Sequence, residues 1–212
     1  MTLEAVPAGS PPTEVAALAH PVWLIRHAAT SWTGRRWCGR ADPPLTAAGR
    51  RAARILAGEL LAELASIGTP GRGSRVLAVM VSPARRARET AEFVEAAFGV
   101  SGIVEPDLLE VDVGDAEGLD WPALEVRHPA VAAAIAHGIQ PDWPGGETRA
   151  EVAARATRAA DRIRAAGLAG PVAVVSHGAI LHVIAAELVG DSRGLSALGP
   201  AGFLRLSPVV HP

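Results

Sequence analysis

Three short apolar segments, each followed directly by polar or charged residues, constrain the fold of this 212-residue chain most strongly. They are 22–25 (VWLI), 76–81 (VLAVMV) and 172–175 (VAVV), and helical patterns separate them. Continuous apolar runs of this length are typical of parallel strands that are covered on both faces. Strands that alternate with helices indicate an α/β fold, a three-layer α/β/α sandwich with a mostly parallel sheet.

Local signals at the helix ends predict where several helices begin. Ser82 and Pro83 are expected to cap and open the helix after the second strand. Thr148 and Glu151 have the spacing of a capping box, which predicts a long helix running to about 166. The remaining expected elements are a helix from about 46, a strand at 103–108, helices at 123–137 and 179–189, and an edge strand at 202–207.

The chain has the length of one domain, and we expect a flexible tail over 1–20 and a single domain over 21–212. The first twenty residues lack the basic start and apolar centre of a signal peptide. No apolar segment approaches the roughly 18–20 residues of a membrane span. A net charge of −2 predicts no general attraction to nucleic acid. The sequence leaves the oligomeric state open.

The composition excludes several kinds of chemistry. All 20 Lys and Arg positions are arginine, and the missing lysine excludes P-loop, Schiff-base and pyridoxal chemistry. Arginine instead binds phosphate or carboxylate oxygens in pairs. Cys38 is the one cysteine, which excludes an intrachain disulfide and a cysteine-based metal site. A reducing, cytoplasmic location is therefore expected.

Basic side chains follow all three apolar segments. Arg26 and His27 come directly after the first segment, Arg86 follows the second, and His177 follows the third. In an open α/β sheet, ligands bind beyond the carboxyl ends of the strands. We therefore expect these four side chains to converge on one anion.

These residues lie in five sequence blocks that resemble the histidine phosphatase superfamily, the family of cofactor-dependent phosphoglycerate mutases and alpha-ribazole-phosphatase-like enzymes. The blocks occur in the family's order and span about 22–180. They are RHAAT at 26–30 with Gly39, Asp42, PLT at 44–46 and Gly49; SPxxRAxxTA at 82–91; LExDxGDxEG at 109–118; PGGE at 144–147; and SHG at 176–178. The resemblance implies a phosphoglycerate mutase-like fold and a catalytic role for the domain at 21–212.

The resemblance also implies a mechanism without a metal or cofactor. His27 would take the phosphoryl group of a small phosphomonoester as a phosphohistidine, and Glu110 would protonate the leaving oxygen. Arg26, Arg86 and His177 would hold the phosphoryl oxygens. The implied substrate-binding positions are Arg26, Thr33, Cys38, Gly39, Arg86, His177 and Gly178.

Some positions depart from the family pattern. Ala28 replaces a glycine, Thr33 an asparagine and Ala116 an aromatic residue. The Cys38-Gly39 pair resembles the mutases, whereas the block at 109–118 resembles the phosphatases. A phosphomonoesterase is the expected function, and the alternatives are a phosphoglycerate mutase and a phosphate-binding relative without turnover.

Other residues are expected to surround this site or to lie away from it. The leaving-group side of the substrate is expected to be shaped by Trp37, Arg40, Trp143 and the region 119–142. Arginines at 155, 158 and 162 form a stripe on the long helix, and a solvated face is the expected arrangement.

Overall fold

The computed structural model describes residues 18–66, 78–190 and 198–208. Its strands are β1 (Val22–Arg26), β2 (Ala78–Val81), β3 (Gly102–Val104), β4 (Val172–Ser176) and β5 (Phe203–Leu206). Its α-helices are α1 (Ala47–Ser66), α2 (Arg85–Phe98), α3 (Trp121–Arg127), α4 (Pro129–Ala136), α5 (Arg149–Gly167) and α6 (Gly178–Val189). Two short 3₁₀ turns lie at Pro106–Leu108 and Gly114–Ala116. Most of the predicted tail and residues 76–77 of the predicted second strand lie outside the described residues.

The described strands form one sheet in the order β3-β2-β4-β1-β5. Neighbouring strands are parallel except β5, which runs antiparallel to β1 at the edge. Alternate residues face opposite layers, so Val22 and Leu24 pack on one side and Trp23 and Ile25 on the other. Helices α1 and α2 cover one face, and α5 and α6 cover the other. The prediction of a three-layer sandwich with a mostly parallel sheet is confirmed.

Several predicted boundaries are wrong. Helix α2 begins at Arg85 with Ala84 as its N-cap, and Ser82 does not cap it. The predicted single helix at 123–137 is divided into α3 and α4 at His128, because a residue before proline disfavours helical backbone angles. Strand β3 ends before Pro106, which cannot donate a ladder hydrogen bond.

Other sequence predictions agree with the structure. The capping box of Thr148 and Glu151 is present, and α5 extends to Gly167. By contrast, Leu18 is buried in the core, so the prediction of a flexible tail over 1–20 is wrong at this residue. No helix in the described part of the chain is both long and apolar enough to span a membrane.

Candidate active site

Adjacent parallel strands bring two histidines to one edge of the sheet. Strand β4 lies between β1 and β2, and Arg26 at the end of β1 pairs in register with Ser176 at the end of β4. The next residues, His27 and His177, therefore lie side by side, with ring centroids 5.0 Å apart. This edge is the C-terminal edge of the sheet, where ligands bind in α/β folds.

His27 is a buried, neutral imidazole with a defined tautomer. Its side chain is 7% exposed, and Nδ1 lies 2.8 Å from the carbonyl oxygen of Ala28. A carbonyl can only accept a hydrogen bond, so Nδ1 carries the proton and Nε2 keeps its lone pair. Burial, with smaller contributions from the positive charges of Arg86 and Arg26, lowers the pKa of His27 to about 3. The ring therefore carries a single proton, on Nδ1, and is neutral at neutral pH.

His177 is fully buried and is held by a serine from a neighbouring strand end. Its Nε2 lies 2.7 Å from Oγ of Ser82, and the Ala84 backbone N–H donates to that same oxygen at 3.3 Å. The other ring nitrogen, Nδ1, has no partner among the described residues. Burial lowers the pKa of His177, and nearby positive charge lowers it further.

Arg86 is a buried guanidinium that holds the loop before α1. It donates to the carbonyl oxygens of Ala41 at 2.7 Å and Gly39 at 3.0 Å. Its Nε is buried and finds no partner in the part of the chain that the structure describes. Asp42 lies 3.8 Å from the same guanidinium.

Arg26 also has a buried Nε without a partner in the described ranges. Its Nη1 donates to the carbonyl oxygen of Leu198 at 2.9 Å, which ties the guanidinium to the segment before β5. A Cβ at Gly178 would lie 3.4 Å from Nε and Cζ of this arginine. A side chain at this position would therefore begin in van der Waals contact with the guanidinium.

The Glu110 carboxylate lies at the N-terminus of α6. It accepts hydrogen bonds from the backbone N–H of Ile180 at 3.1 Å and of Ala179 at 3.4 Å, and from its neighbour Val111 at 3.0 Å. The first N–H groups of a helix have no partner within the helix and favour negative charge. These contacts fix the carboxylate beside the turn that carries His177.

A cavity of about 360 Å³ opens at this edge of the sheet. Six of the predicted site residues line it, namely Arg26, His27, Thr33, Cys38, Glu110 and Gly178. Its other lining residues are Thr30, Trp32, Gly34, Arg35, Arg36, Trp37, Leu119, Trp121 and Ala179. Three predicted site residues, Gly39, Arg86 and His177, are buried and are not among the cavity-lining residues.

Two predicted substrate-binding positions make hydrogen bonds within the protein. Oγ1 of Thr33 accepts from the backbone N–H of Thr30 at 3.0 Å and lies 3.3 Å from its hydroxyl. The backbone N–H of Gly39 donates to Glu117 at 3.0 Å. A side chain at Gly39 is excluded, because its Cβ would lie 2.5 Å from the carbonyl oxygen of Val111.

Cys38 lines the cavity as a protonated thiol. Its Sγ lies 3.4 Å from the carbonyl oxygen of Ala41, to which it donates. Burial raises the pKa of the Cys38 thiol to about 11. A thiol that stays protonated at neutral pH is a poor nucleophile and a poor metal ligand.

Two residues predicted to shape the leaving-group side lie elsewhere. Arg40 forms ion pairs with Asp112 and Glu147, both at 3.5 Å. Trp143 is buried in the core cluster. Trp37 lines the cavity, as do Leu119 and Trp121 from the predicted region 119–142. Trp32 also lines it, and no local sequence signal pointed to this residue.

Arg155 is buried, so the prediction of a solvated arginine stripe is wrong at this position. Its guanidinium makes two hydrogen bonds to Glu147, at 2.9 and 2.7 Å. It also donates to the carbonyl oxygens of Asp107 at 2.9 Å and Leu109 at 2.6 Å. The arginine thereby holds the segment that leads to Glu110.

Two known proteins that resemble this chain in sequence or structure are named as phosphatases. An uncharacterized phosphatase of Bacillus subtilis, PhoE, is 29% identical over 177 residues, covering 83% of this chain and 81% of that protein. The structure of a mycobacterial glucosyl-3-phosphoglycerate phosphatase is 28% identical, with a TM-score of 0.71, and the match covers 89% of this chain and 93% of that one.

A longer relative is matched over part of its length. A bifunctional protein of Mycobacterium tuberculosis is 33% identical over 155 residues, which are 73% of this chain and 40% of that protein. The chain therefore spans about two fifths of this relative.

Residues 22–197 match the family model of the histidine phosphatase superfamily (branch 1). With the fold and the sequence blocks, this match shows that the chain belongs to the histidine phosphatase superfamily.

Proposed function

We propose that this protein is a metal-independent phosphomonoesterase that acts through a covalent phosphohistidine at His27. Three buried side-chain nitrogens support this proposal, because Arg26 Nε, Arg86 Nε and His177 Nδ1, which is a donor when Ser82 donates to Nε2, have no partner among the described residues. A buried polar group without a hydrogen bond costs about 1–3 kcal/mol. The oxygens of a phosphoryl group on His27 would satisfy these donors.

The tautomer of His27 suits nucleophilic attack on phosphorus. Its proton is held by the Ala28 carbonyl, which leaves the Nε2 lone pair for the new bond. In the first step, Nε2 bonds to phosphorus, the bond from phosphorus to the ester oxygen breaks, and Glu110 in its carboxylic acid form gives its proton to the leaving alcohol and becomes a carboxylate. In the second step, water attacks phosphorus, Glu110 takes its proton, and the N–P bond breaks to release phosphate.

The cations stabilise the charge that the reaction concentrates on the phosphoryl oxygens. Two guanidinium groups act with a neutral imidazole, since Ser82 can donate to Nε2 of His177 and leave Nδ1–H for the phosphoryl group. Fixed donors in a site shielded from water supply much of the catalysis of phosphoryl transfer. The implied substrate is a small phosphomonoester.

The test measures phosphate release from a panel of phosphomonoesters in the presence of EDTA. We expect turnover by the wild type, loss of at least about 1,000-fold in His27→Ala, and no change in the surface control His137→Ala. The wild type, unlike His27→Ala, should accumulate a phosphoenzyme that survives alkali and is lost in acid. Equal rates for wild type and His27→Ala would favour a phosphate-binding protein. Interconversion of 2- and 3-phosphoglycerate without phosphate release would favour a mutase.

A further inference from the structure

Three tryptophans flank the cavity in which His27 lies. Trp32, Trp37 and Trp121 all contribute to its wall. The rings of Trp37 and Trp121 are 6.2 Å apart at their centroids and inclined by 39°. Trp121 is 39% exposed, so the cavity presents indole surface to solvent. Contact with a flat apolar group of a ligand gives such an indole surface the most favourable binding free energy.

The polar side chains of the wall are largely occupied by the protein itself. The hydroxyls of Thr30 and Thr33 lie 3.3 Å apart and contact each other. The Glu110 carboxylate accepts from the start of α6, and the Cys38 thiol donates to Ala41. Few side-chain groups are therefore left to match the several hydroxyls of a sugar.

Three arginines line the cavity, and besides Arg26, which is assigned to the phosphoryl group, Arg36 is also engaged by the protein. The Arg36 guanidinium lies 5.9 Å from the ring centroid of Trp32 and donates to the carbonyl oxygen of Gly118 at 3.0 Å. It therefore extends the flat wall as well as contributing charge. Arg35 is exposed in the same wall, and it makes an acid-bearing substrate the principal rival.

From these contacts we propose that the cavity selects phosphomonoesters whose alcohol part carries an aromatic or heteroaromatic ring. The proposal rests on the function proposed above and specifies its substrate class. The phosphoryl group would lie at His27, and the ring would pack against the indoles of Trp37 and Trp121. The cavity volume of about 360 Å³ falls at the small end of ligand sites, which suits a ring of one or two cycles.

The test compares phosphates of primary alcohols, so that the chemistry of the leaving oxygen stays similar. The substrates are 2-naphthylmethyl phosphate, ethyl phosphate and glucose 6-phosphate, with 3-phosphoglycerate as the acid-bearing rival. We expect kcat/KM for the naphthylmethyl ester to exceed that of each other substrate by at least about tenfold. A rate equal to that of ethyl phosphate, or a preference for glucose 6-phosphate or 3-phosphoglycerate, would overturn the proposal.

Two variants test whether the tryptophan rings cause the preference for the naphthylmethyl ester. Trp37→Leu and the more exposed Trp121→Leu should each lower the naphthylmethyl-to-ethyl ratio by about three- to tenfold. The control Phe98→Leu changes an aromatic residue that packs on the opposite side of the sheet, and it should leave the ratio unchanged. An unchanged ratio in both folded tryptophan variants would contradict the proposal.

A measurement of binding without turnover tests the aromatic preference independently of the proposed hydrolase activity. Calorimetry with 2-naphthylmethylphosphonate and ethylphosphonate, which cannot be hydrolysed at the P–C bond, measures the preference without turnover. Tighter binding of the naphthyl compound by wild type, weakened in Trp121→Leu, supports the aromatic site even if no ester is hydrolysed, and in that case the proposed hydrolase activity alone fails. Equal binding of the two phosphonates refutes the aromatic site and leaves the hydrolase proposal intact.

Discussion

The side-chain oxygen of Ser82 lies 2.7 Å from Nε2 of His177, across 95 positions of sequence. The hydroxyl connects the end of β2 to the end of β4 and fills one of the two hydrogen-bonding positions of a fully buried imidazole. When the serine hydroxyl donates to Nε2, the ring proton of His177 lies on Nδ1, and this nitrogen can donate to a ligand.

Ser82→Ala is expected to lower kcat by about tenfold, because the buried ring loses the group that orients it. Unfolding free energy should fall by about 1–2 kcal/mol, the cost of a buried partner left unpaired. Ser176→Ala is the matched control, since Ser176 is equally buried and its hydroxyl donates to the Leu108 carbonyl instead. Steady-state kinetics and urea unfolding measure both effects. An equal loss of kcat in the two variants would show that Ser82 has no specific role.

Glu110→Gln is expected to slow hydrolysis by an amount that depends on the leaving group. An alkoxide needs a proton to depart, so kcat for ethyl phosphate should fall by about 100-fold or more. The loss should be much smaller for 4-nitrophenyl phosphate, whose phenolate leaves unprotonated. Asp112→Asn serves as control, because its carboxylate accepts from the Gly114 backbone. Equal losses on both substrates would argue against Glu110 as the proton donor.

Replacement of Arg155 by lysine should destabilise the fold. The arginine makes two hydrogen bonds to Glu147 and also donates to two backbone carbonyls of the segment before Glu110. A lysine ammonium cannot reproduce that planar set of donors. Buried acceptors that lose their donors cost about 1–3 kcal/mol. Urea unfolding should show a loss of that order for Arg155→Lys and a much smaller one for Arg149→Lys, at an exposed position at the start of the same helix. Comparable losses would mean that the burial of Arg155 has little energetic weight.

The buried state of His27 predicts how stability depends on pH. Its pKa falls from 6.5 to about 3 on folding, so between these values the unfolded chain binds a proton there that the folded chain does not. Stability should therefore be complete above about pH 6.5 and decline as the pH falls. At about pH 5 this histidine alone accounts for about 2 kcal/mol of the decline.

His27→Asn removes this ionisation and provides the measurement. Urea unfolding at about pH 7.5 and pH 5 should show a difference in unfolding free energy that is about 2 kcal/mol smaller in the variant than in the wild type. His177, whose pKa is also lowered, should keep part of the decline in both proteins. An identical pH dependence in wild type and variant would show that His27 titrates normally in the folded state.

Local sequence signals predicted those elements whose causes lie within a few residues. The apolar runs that form β1 and β4 identify buried parallel strands by themselves, and the pair Thr148 and Glu151 identifies the start of α5. The carboxyl ends of parallel strands lie at one edge of a sheet, whatever the order of the strands. That is why the sequence could place His27 and His177 at one edge of a sheet.

Predictions failed where a distant partner competes with a local pattern. Ser82 has the position of a helix cap, but a buried imidazole from another strand binds its hydroxyl. Arg155 has the spacing of a solvated stripe, but carbonyl oxygens some 46 to 48 positions away surround its guanidinium. No pattern of three or four residues contains those partners.

The sequence by itself determined the layers of the fold, the strand ends that carry the basic residues, and the family resemblance, because periodicity and short motifs encode them. Only the tertiary structure decided the tautomer of His27, the serine partner of His177, and the placement of Trp32 in the cavity wall and of Trp143 in the core. Those features depend on which side chains meet after the chain has folded. Hydrogen bonding and burial act over a few ångströms in space, and separation along the sequence does not limit them.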